Sequence, residues 1–302
     1  MDKILITGAS GFVGSNLSSF FKDSNYRLEP LSLRNSDWKE NIAPADVFIN
    51  LAGKAHDHNG EATEKDFFEA NYELVKQLYN CFLNNSASLF IHISSIAALE
   101  EESAEGIISE EYIPNPKSHY GRSKRKAEEF LLGQMLPEGK KIVILRPTMI
   151  HGPGDKGNLK LLYKIINKGI PYPLGAFDNK RSFTGIDNLC FIIQKIIEKK
   201  DVIASGVYNV ADDEPLSTLQ IIKTIGRISH KKASVLKVPK FLINFFAKTG
   251  DVLKLPLNSK RLIKMTSSLI VSNADIKQAV AIEKFPLTAQ DGLDKTIRSF
   301  IS

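Results

Sequence analysis

The sequence predicts an α/β protein: a doubly wound parallel sheet with a smaller C-terminal lobe. Three observations predict it. Short apolar runs alternate with helix-spaced stretches over the first two thirds of the chain, the pattern of parallel strands joined by helical crossovers. A glycine-rich turn follows the first apolar run directly. After Arg146 the texture changes to loops rich in glycine and proline, followed by further helical segments.

Each element can be justified in turn. Lys3–Thr7 reads as a buried strand and Phe12–Lys22 as a helix. Arg27–Leu33 is a second, more polar strand, and residues 47–51 (Val-Phe-Ile-Asn-Leu) a third. Phe67–Leu83 has helical spacing, residues 89–93 form a fourth strand, Tyr120–Leu132 a helix and Lys141–Leu145 a fifth strand. Crossovers between parallel strands are expected to be right-handed. His151-Gly152-Pro153-Gly154 and Lys156-Gly157-Asn158 form a loop. Beyond it come helices over Leu159–Asn167 and Asn188–Lys199, a short strand at Val207–Val210 and a helix at Leu216–Ser229. The pattern after that is irregular.

Composition sets the class. The chain has 302 residues, 43% apolar and 25% charged, enough to bury a core without disulfides. Its two cysteines, Cys81 and Cys190, lie in helical apolar patterns and read as buried thiols of a cytoplasmic protein. No apolar run is long enough to span a bilayer, and the N-terminus enters a strand directly, with no signal-peptide pattern. A net charge of +6 suits an anionic substrate. Basic residues are spread out and no nucleic-acid motif appears, so no nucleic-acid partner is expected. The late lysines Lys231, Lys232, Lys237, Lys240 and Lys248 read as a solvated helical face.

Three motifs carry chemistry. In Thr7-Gly8-Ala9-Ser10-Gly11-Phe12-Val13-Gly14, Gly8 permits a tight turn, Gly11 lets a pyrophosphate approach the backbone, and Gly14 lets helix pack on strand. The free N–H groups of the helix start favour an anion, so the sheet is expected to be of Rossmann type. The spacing departs from G-x-G-x-x-G by one residue. In Tyr120-Gly121-Arg122-Ser123-Lys124, tyrosine and lysine four apart share a helix face. A lysine charge ~4 Å from a phenolate, at an effective dielectric of ~20, favours it by about 4 kcal/mol, and desolvation opposes this. Ser94-Ser95 ends the fourth strand, where an open parallel sheet places its ligands.

In this order and context, the motifs resemble those of the extended short-chain dehydrogenase/reductases, specifically the NAD-dependent epimerase/dehydratase family. The resemblance covers nearly the whole chain. It takes in Asn50-Leu51-Ala52-Gly53, Asn71, Arg146-Pro147-Thr148 and His151-Gly152-Pro153-Gly154. It implies Ser95, Tyr120 and Lys124 as catalytic residues. It also implies a cofactor site, for NAD or NADP, at Gly8, Gly11, Phe12, Val13, Gly14, Leu51, Ala52, Gly53, Asn71, Ser94, Tyr120, Lys124 and Pro147. The implied division is a dinucleotide-binding domain over residues 1–152, with 181–210 returning to the main sheet, and a substrate-binding lobe over 153–180 and 211–302. Asn158-Leu159 and the segment 181–189 resemble the diphosphate-contacting stretches of nucleotide-sugar epimerases. Asn158, Arg181 and Arg261 are therefore candidate substrate ligands beside Ser95. Arginine is suited to bidentate phosphate contacts.

Two departures from the family pattern are informative. Dehydratases follow the catalytic hydroxyl with Asp-Glu, whereas here Ser95 is followed by Ile96-Ala97, which cannot move a proton. The Tyr-Gly expected shortly afterwards is replaced by Ala98-Leu99, in the wall of the sugar pocket. The second departure comes after strand two, where members that prefer NAD place an acid. This strand ends Ser32-Leu33-Arg34, and Arg34 suits the 2′-phosphate of NADP. His92 reads as a core residue and His151 as a candidate pocket residue near the nicotinamide end. His56-Asp57-His58 lacks further ligands at metal spacing, so no metal is expected.

Three functions remain open at this point. One is 4-epimerisation of a UDP-hexose in surface polysaccharide biosynthesis. Another is NADPH-dependent 4-reduction of a UDP-4-keto-6-deoxy-hexosamine. The third is a non-catalytic dinucleotide-binding protein on the same fold. The expected partner is the nucleotide-sugar, and the candidate assembly is a homodimer.

Overall fold

The computed structural model describes residues 2–55, 61–253 and 258–301, without the side chains of Val252, Lys260, Arg261 and Lys264. His56-Asp57-His58 lies outside the described residues. The elements of the sheet half are β1 (Asp2–Thr7), α1 (Phe12–Phe20), β2 (Tyr26–Leu31), β3 (Val47–Asn50), α2 (Glu64–Phe68), α3 (Leu74–Leu83), β4 (Leu89–Ile93), β5 (Ile107–Ile108), α4 (His119–Leu132) and β6 (Lys141–Pro147). They are followed by β7 (Met149–His151), α5 (Asn158–Asn167), β8 (Lys180–Arg181), β9 (Phe183–Gly185), α6 (Ile186–Glu198), β10 (Gly206–Val210), β11 (Leu216–Ser217) and α7 (Thr218–Ile228). The chain then forms α8 (Lys240–Leu253), α9 (Ser259–Thr266), β12 (Ile270–Val271), α10 (Ala274–Val280) and α11 (Ala289–Arg298).

Six strands form one sheet in the order β10-β6-β4-β3-β1-β2, and every pair is parallel. The chain winds outward from β1 to β2 on one side and through β3, β4, β6 and β10 on the other. The switch point, where such sheets bind ligands, therefore lies between β1 and β3. Residues 32–46 link β2 to β3 without adding a strand, so the β2 side is one strand shorter than in the 3-2-1-4-5-6 order.

Alternation along the strands separates the two faces. Ile4, Ile6, Val47, Ile49, Leu89, Ile91, Val143 and Leu145 point to one face, where Leu17 of α1 and the isoleucines of α6 cover them. Leu5, Phe48, Phe90, Ile142 and Ile144 point to the other, under Val75, Leu78 and Phe82 of α3 and Ala127 and Leu131 of α4. A separate core is built from Leu159 and Ile166 of α5, Ile221, Ile222 and Ile225 of α7, Ile243 and Ala247 of α8, and Leu293 and Ile297 of α11. Ile276 and Val280 of α10 return to the sheet core.

The expected helix over 67–83 is interrupted. A π turn, Glu69–Glu73, separates α2 from α3 and carries Asn71 into the interior, fully buried. Such turns insert one extra residue where a side chain is needed inward. Among the described residues after Ser229, the irregular pattern resolves into α8, α9, the short strand β12, α10 and α11.

Candidate active site

The carboxyl ends of β1, β3 and β4 are tied to one another. Thr7 Oγ1 donates to Asn50 Oδ1 at 2.6 Å, and Asn50 Nδ2 lies 3.0 Å from His92 Nδ1. Burial, with the Lys124 charge adding to it, holds the His92 pKa well below its ordinary value. The ring is therefore neutral and belongs to the core.

The glycine loop between β1 and α1 fits a diphosphate. Gly8 has φ 71°, a left-handed conformation that glycine adopts without strain. A Cβ there would lie 2.8 Å from the Ala52 backbone nitrogen, and one at Gly14 would lie 2.3 Å from the Gly8 carbonyl oxygen. Gly11 caps α1 with no side chain, and the first turn holds no acid. The N–H groups there are consequently open to an anion. Phe12 faces the loop after β7, its ring 3.7 Å from where a Cβ on Gly152 would sit, and Val13 packs at the edge of the sheet core.

Leu51, Ala52 and Gly53 form the opposite wall of the crevice. Asn71 fixes this segment: Lys54 N donates to Asn71 Oδ1 at 2.8 Å, and Asn71 Nδ2 donates to Lys54 O at 3.0 Å and to Ser123 Oγ at 2.9 Å. A Cβ on Gly53 would come within 3.2 Å of Lys124 Nζ, which brings the lysine directly to the wall. Asn71 thus staples the wall to α4.

The three expected catalytic residues converge at the end of β4. Ser95 caps a 3-10 turn, Ile96–Ala98, by accepting from Ala97 N at 3.2 Å. Gly121 packs against this turn so closely that a Cβ would lie 2.4 Å from Ala97 O. That approach brings the Tyr120 phenol near enough to Ser95 for Ser95 to lower its pKa. Lys124 Nζ is buried and donates to Ile93 O at 2.8 Å. Burial lowers its pKa to about 8, against the opposing attraction of Glu128.

The Tyr120 pKa moves opposite to the sequence expectation. Burial raises it, the Ser95 contact lowers it, and Glu101 and Glu128 raise it further. Lys124 is not among the groups that shift it, and its ammonium donates to the Ile93 carbonyl. Ile96, Ala97, Ala98 and Leu99 are buried and form apolar wall.

Several positions differ in kind from what the sequence suggested. Ser94, expected at the cofactor, is buried and donates from Oγ to Glu128 Oε1 at 2.5 Å. Glu128 in turn accepts from Arg146 Nε at 2.9 Å and Nη2 at 2.6 Å, beneath Pro147. Sequence reasoning missed this triad. The signal was a carboxylate four residues after Lys124, together with an arginine at the end of an apolar strand. His151, a pocket candidate, is fully buried, with Nδ1 2.8 Å from Thr296 Oγ1, and does not line an open pocket. Arg34 is exposed just beyond β2 and forms no ion pair among the described residues. Asn158 opens α5 and is exposed. Arg261 lies on α9, its side chain outside the described residues.

Arg181, expected as a diphosphate fork, is tied to neighbouring chain segments. Its Nη1 donates to Glu102 O at 3.2 Å and Ser267 Oγ at 3.3 Å, and its Nη2 donates to Glu101 O at 3.1 Å. The Glu101 carboxylate accepts from Ser118 N at 2.9 Å and Ser118 Oγ at 2.6 Å, and Ser118 caps α4 through Gly121 N. These bonds link Arg181 to the loop that anchors the start of the Tyr120 helix. Arg181→Ala is expected to lower kcat by up to about 10²-fold through misalignment, with a smaller change in KM and unchanged cofactor affinity. Steady-state kinetics decide: a rise in KM alone would mark direct contact with the substrate.

Comparison with known proteins agrees with this geometry. The NAD dependent epimerase/dehydratase family model matches residues 4–211. A UDP-glucose 4-epimerase of Vibrio cholerae is 29% identical over 99% of this chain and 95% of its own length. An N-acetyl-α-D-glucosaminyl-diphospho-ditrans,octacis-undecaprenol 4-epimerase of Escherichia coli O157:H7 is 25% identical over 98% and 95%. The structure of UDP-glucuronic acid 4-epimerase from Bacillus cereus in complex with NAD superposes with a TM-score of 0.77 at 21% identity, covering 99% of this chain and 98% of that one. Among the described residues no helix is long and apolar enough to cross a membrane, and no cluster of metal-ligating side chains occurs. With the glycine cradle, the Asn71 staple and the Ser95–Tyr120–Lys124 cluster in place under a family match that spans the sheet, the chain belongs to the NAD-dependent epimerase/dehydratase family of nucleotide-sugar epimerases, dehydratases and reductases and is an enzyme of the extended short-chain type that works with NAD or NADP.

Proposed function

We propose that the protein is a 4-epimerase of a UDP-hexose. The observation that carries this reading is that Tyr120, close enough to Ser95 for Ser95 to lower its pKa, shares a helix with Lys124, which is buried beside the Gly53 wall. Tyr120 takes the proton of the C4 hydroxyl and gives one back when the 4-keto sugar is reduced on its other face. Ser95 holds the C4 oxygen beside the phenol. Lys124 anchors the cofactor ribose near Gly53, and Gly8, Gly11 and the start of α1 hold the diphosphate. Bound in this cradle, the oxidised nicotinamide supplies a hydride acceptor and a positive charge that favours the phenolate. The apolar turn after Ser95 offers no acid–base pair, which disfavours 4,6-dehydration. Asn158, at the exposed start of α5, is the proposed contact of the substrate diphosphate, and the lobe built around α5, α7 and α11 is the proposed substrate-binding lobe. The likeness to a UDP-glucose 4-epimerase over nearly the whole chain supports the sugar class. The test is product analysis by NMR with a panel of UDP-hexoses. Appearance of the C4 epimer supports the reading, and its absence with every sugar of the panel rejects it.

One observation favours a second reading, NADPH-dependent 4-ketoreduction: Arg34, exposed where the adenosine ribose should lie, has no ion-pair partner among the described residues. If it meets a 2′-phosphate, Arg34→Ala should weaken NADP relative to NAD by about 1.5–3 kcal/mol. Calorimetric titration of both cofactors checks this, and equal losses would remove the argument. Purified protein carrying tightly held NAD would favour the epimerase, whereas consumption of NADPH with a 4-keto sugar would favour the reductase.

A further inference from the structure

The late lysines belong to a surface whose other side chains are large and apolar. On α8, Phe241 is 69% exposed, Phe245 64% and Phe246 57%, and Leu242 and Leu253 are also exposed. Phe241 and Phe245 stand four apart, as do Leu242 and Phe246, so their rows adjoin on one outward face of the helix. Leu236, just before the helix, and Ile263 and Met265 on the neighbouring α9 are exposed as well. The inward face is held by Ile243 and Ala247. A helix that turns its phenylalanines outward while smaller residues fill the core is not a solvated face, and an apolar patch of this kind marks a contact surface.

Charge selects the contact. Between residues 231 and 264 the sequence carries nine lysines and arginines and a single acid, Asp251, a net +8, whereas the whole chain carries +6. The rest of the sequence is thus slightly acidic, and the basic charge is concentrated in the stretch that contains this helix. Lys231, Lys232, Lys237, Lys240 and Lys248 are all exposed. Asp251 accepts from Ser259 N and Oγ at 2.9 and 2.6 Å, which ties it to α9. A second copy seated on the same face by two-fold symmetry would set this charge against itself. An anionic bilayer surface meets both requirements: aromatic and leucine side chains enter the acyl boundary, while lysine stems reach the headgroups.

We propose that α8, with the basic segment around it, docks the enzyme on an anionic lipid bilayer, with Phe241, Leu242, Phe245 and Phe246 inserted. The reading goes beyond the C4 chemistry and does not depend on it.

The test is co-sedimentation of the full chain with phosphatidylcholine vesicles, with and without phosphatidylglycerol. The protein should bind the anionic vesicles, fail to bind the neutral ones, and be released by salt. Phe245→Ser with Phe246→Ser should lower partitioning by about tenfold or more while leaving turnover of a soluble nucleotide-sugar and the melting curve unchanged. Lys237→Glu with Lys240→Glu should lower it by at least roughly fivefold per lysine. Tyr120→Phe should bind vesicles normally, so failure of the C4 reading leaves docking intact. Three results would overturn the proposal: no vesicle binding, equal binding to neutral and anionic vesicles, or a solution dimer that the double serine variant dissociates.

Discussion

Tyr120→Phe should lower kcat by roughly 10²–10⁴-fold, the range for loss of a positioned general acid–base group, while leaving cofactor affinity close to that of the wild type. The ring stays packed beside Ser95 and only the proton carrier is lost. The direction of its pKa sharpens the expectation. Burial raises the phenol in the protein alone, so the neutral, proton-donating form is the resting one. The phenolate then depends on whatever positive charge enters the crevice. Single-turnover kinetics with bound cofactor would separate this from a binding defect. Turnover like that of the wild type would remove Tyr120 from the chemistry.

Glu128→Ala should destabilise the fold by about 3–5 kcal/mol, the cost of leaving a buried charge without its partner. Glu128 is fully buried and Arg146 nearly so, and their two hydrogen bonds join α4 to β6 directly beneath the site. The Ser94 hydroxyl would lose its acceptor as well. Lys124 should also respond. Glu128 raises its pKa against burial, so the variant should hold Lys124 further below about 8 and shift the lysine limb of a cofactor-binding pH profile to lower pH. Denaturant unfolding measures the first effect. A Glu128→Ala, Arg146→Met double variant should recover much of the loss, because no unpaired charge remains. A midpoint unchanged in Glu128→Ala alone would show that the pair does not hold α4 on the sheet.

The sheet was legible because its inner strands are short, continuous apolar runs, buried on both faces and bounded by turn residues. Ile4, Leu5 and Ile6 alternate between the two cores as the pattern requires, and residues 89–93 form β4 as expected. The site was legible where a motif is local: the glycine loop, the Ser95 turn and the Tyr120–Lys124 spacing. It was not legible where a residue's surroundings come from distant chain. Arg181 reads as a phosphate ligand by type and position, yet its donors meet carbonyls some 80 residues earlier in the chain. Asn71 reads as a cofactor contact, and its inward position depends on a π turn that leaves no periodic trace. The C-terminal helices escaped for another reason. In α8 the large apolar residues point outward and Ile243, Ala247 and Gly250 inward, so no single apolar stripe marks the helix.

The most direct test of C4 chemistry at the Ser95–Tyr120–Lys124 site is the fate of deuterium placed at C4 of the UDP-hexose, followed by NMR and mass spectrometry of the product. Hydride removal and return within one closed site predicts a C4 epimer that keeps the deuterium at C4 and takes none from solvent, with Tyr120→Phe giving almost no product. An epimer that has exchanged its C4 label with water, or full conversion by Tyr120→Phe, would contradict the account.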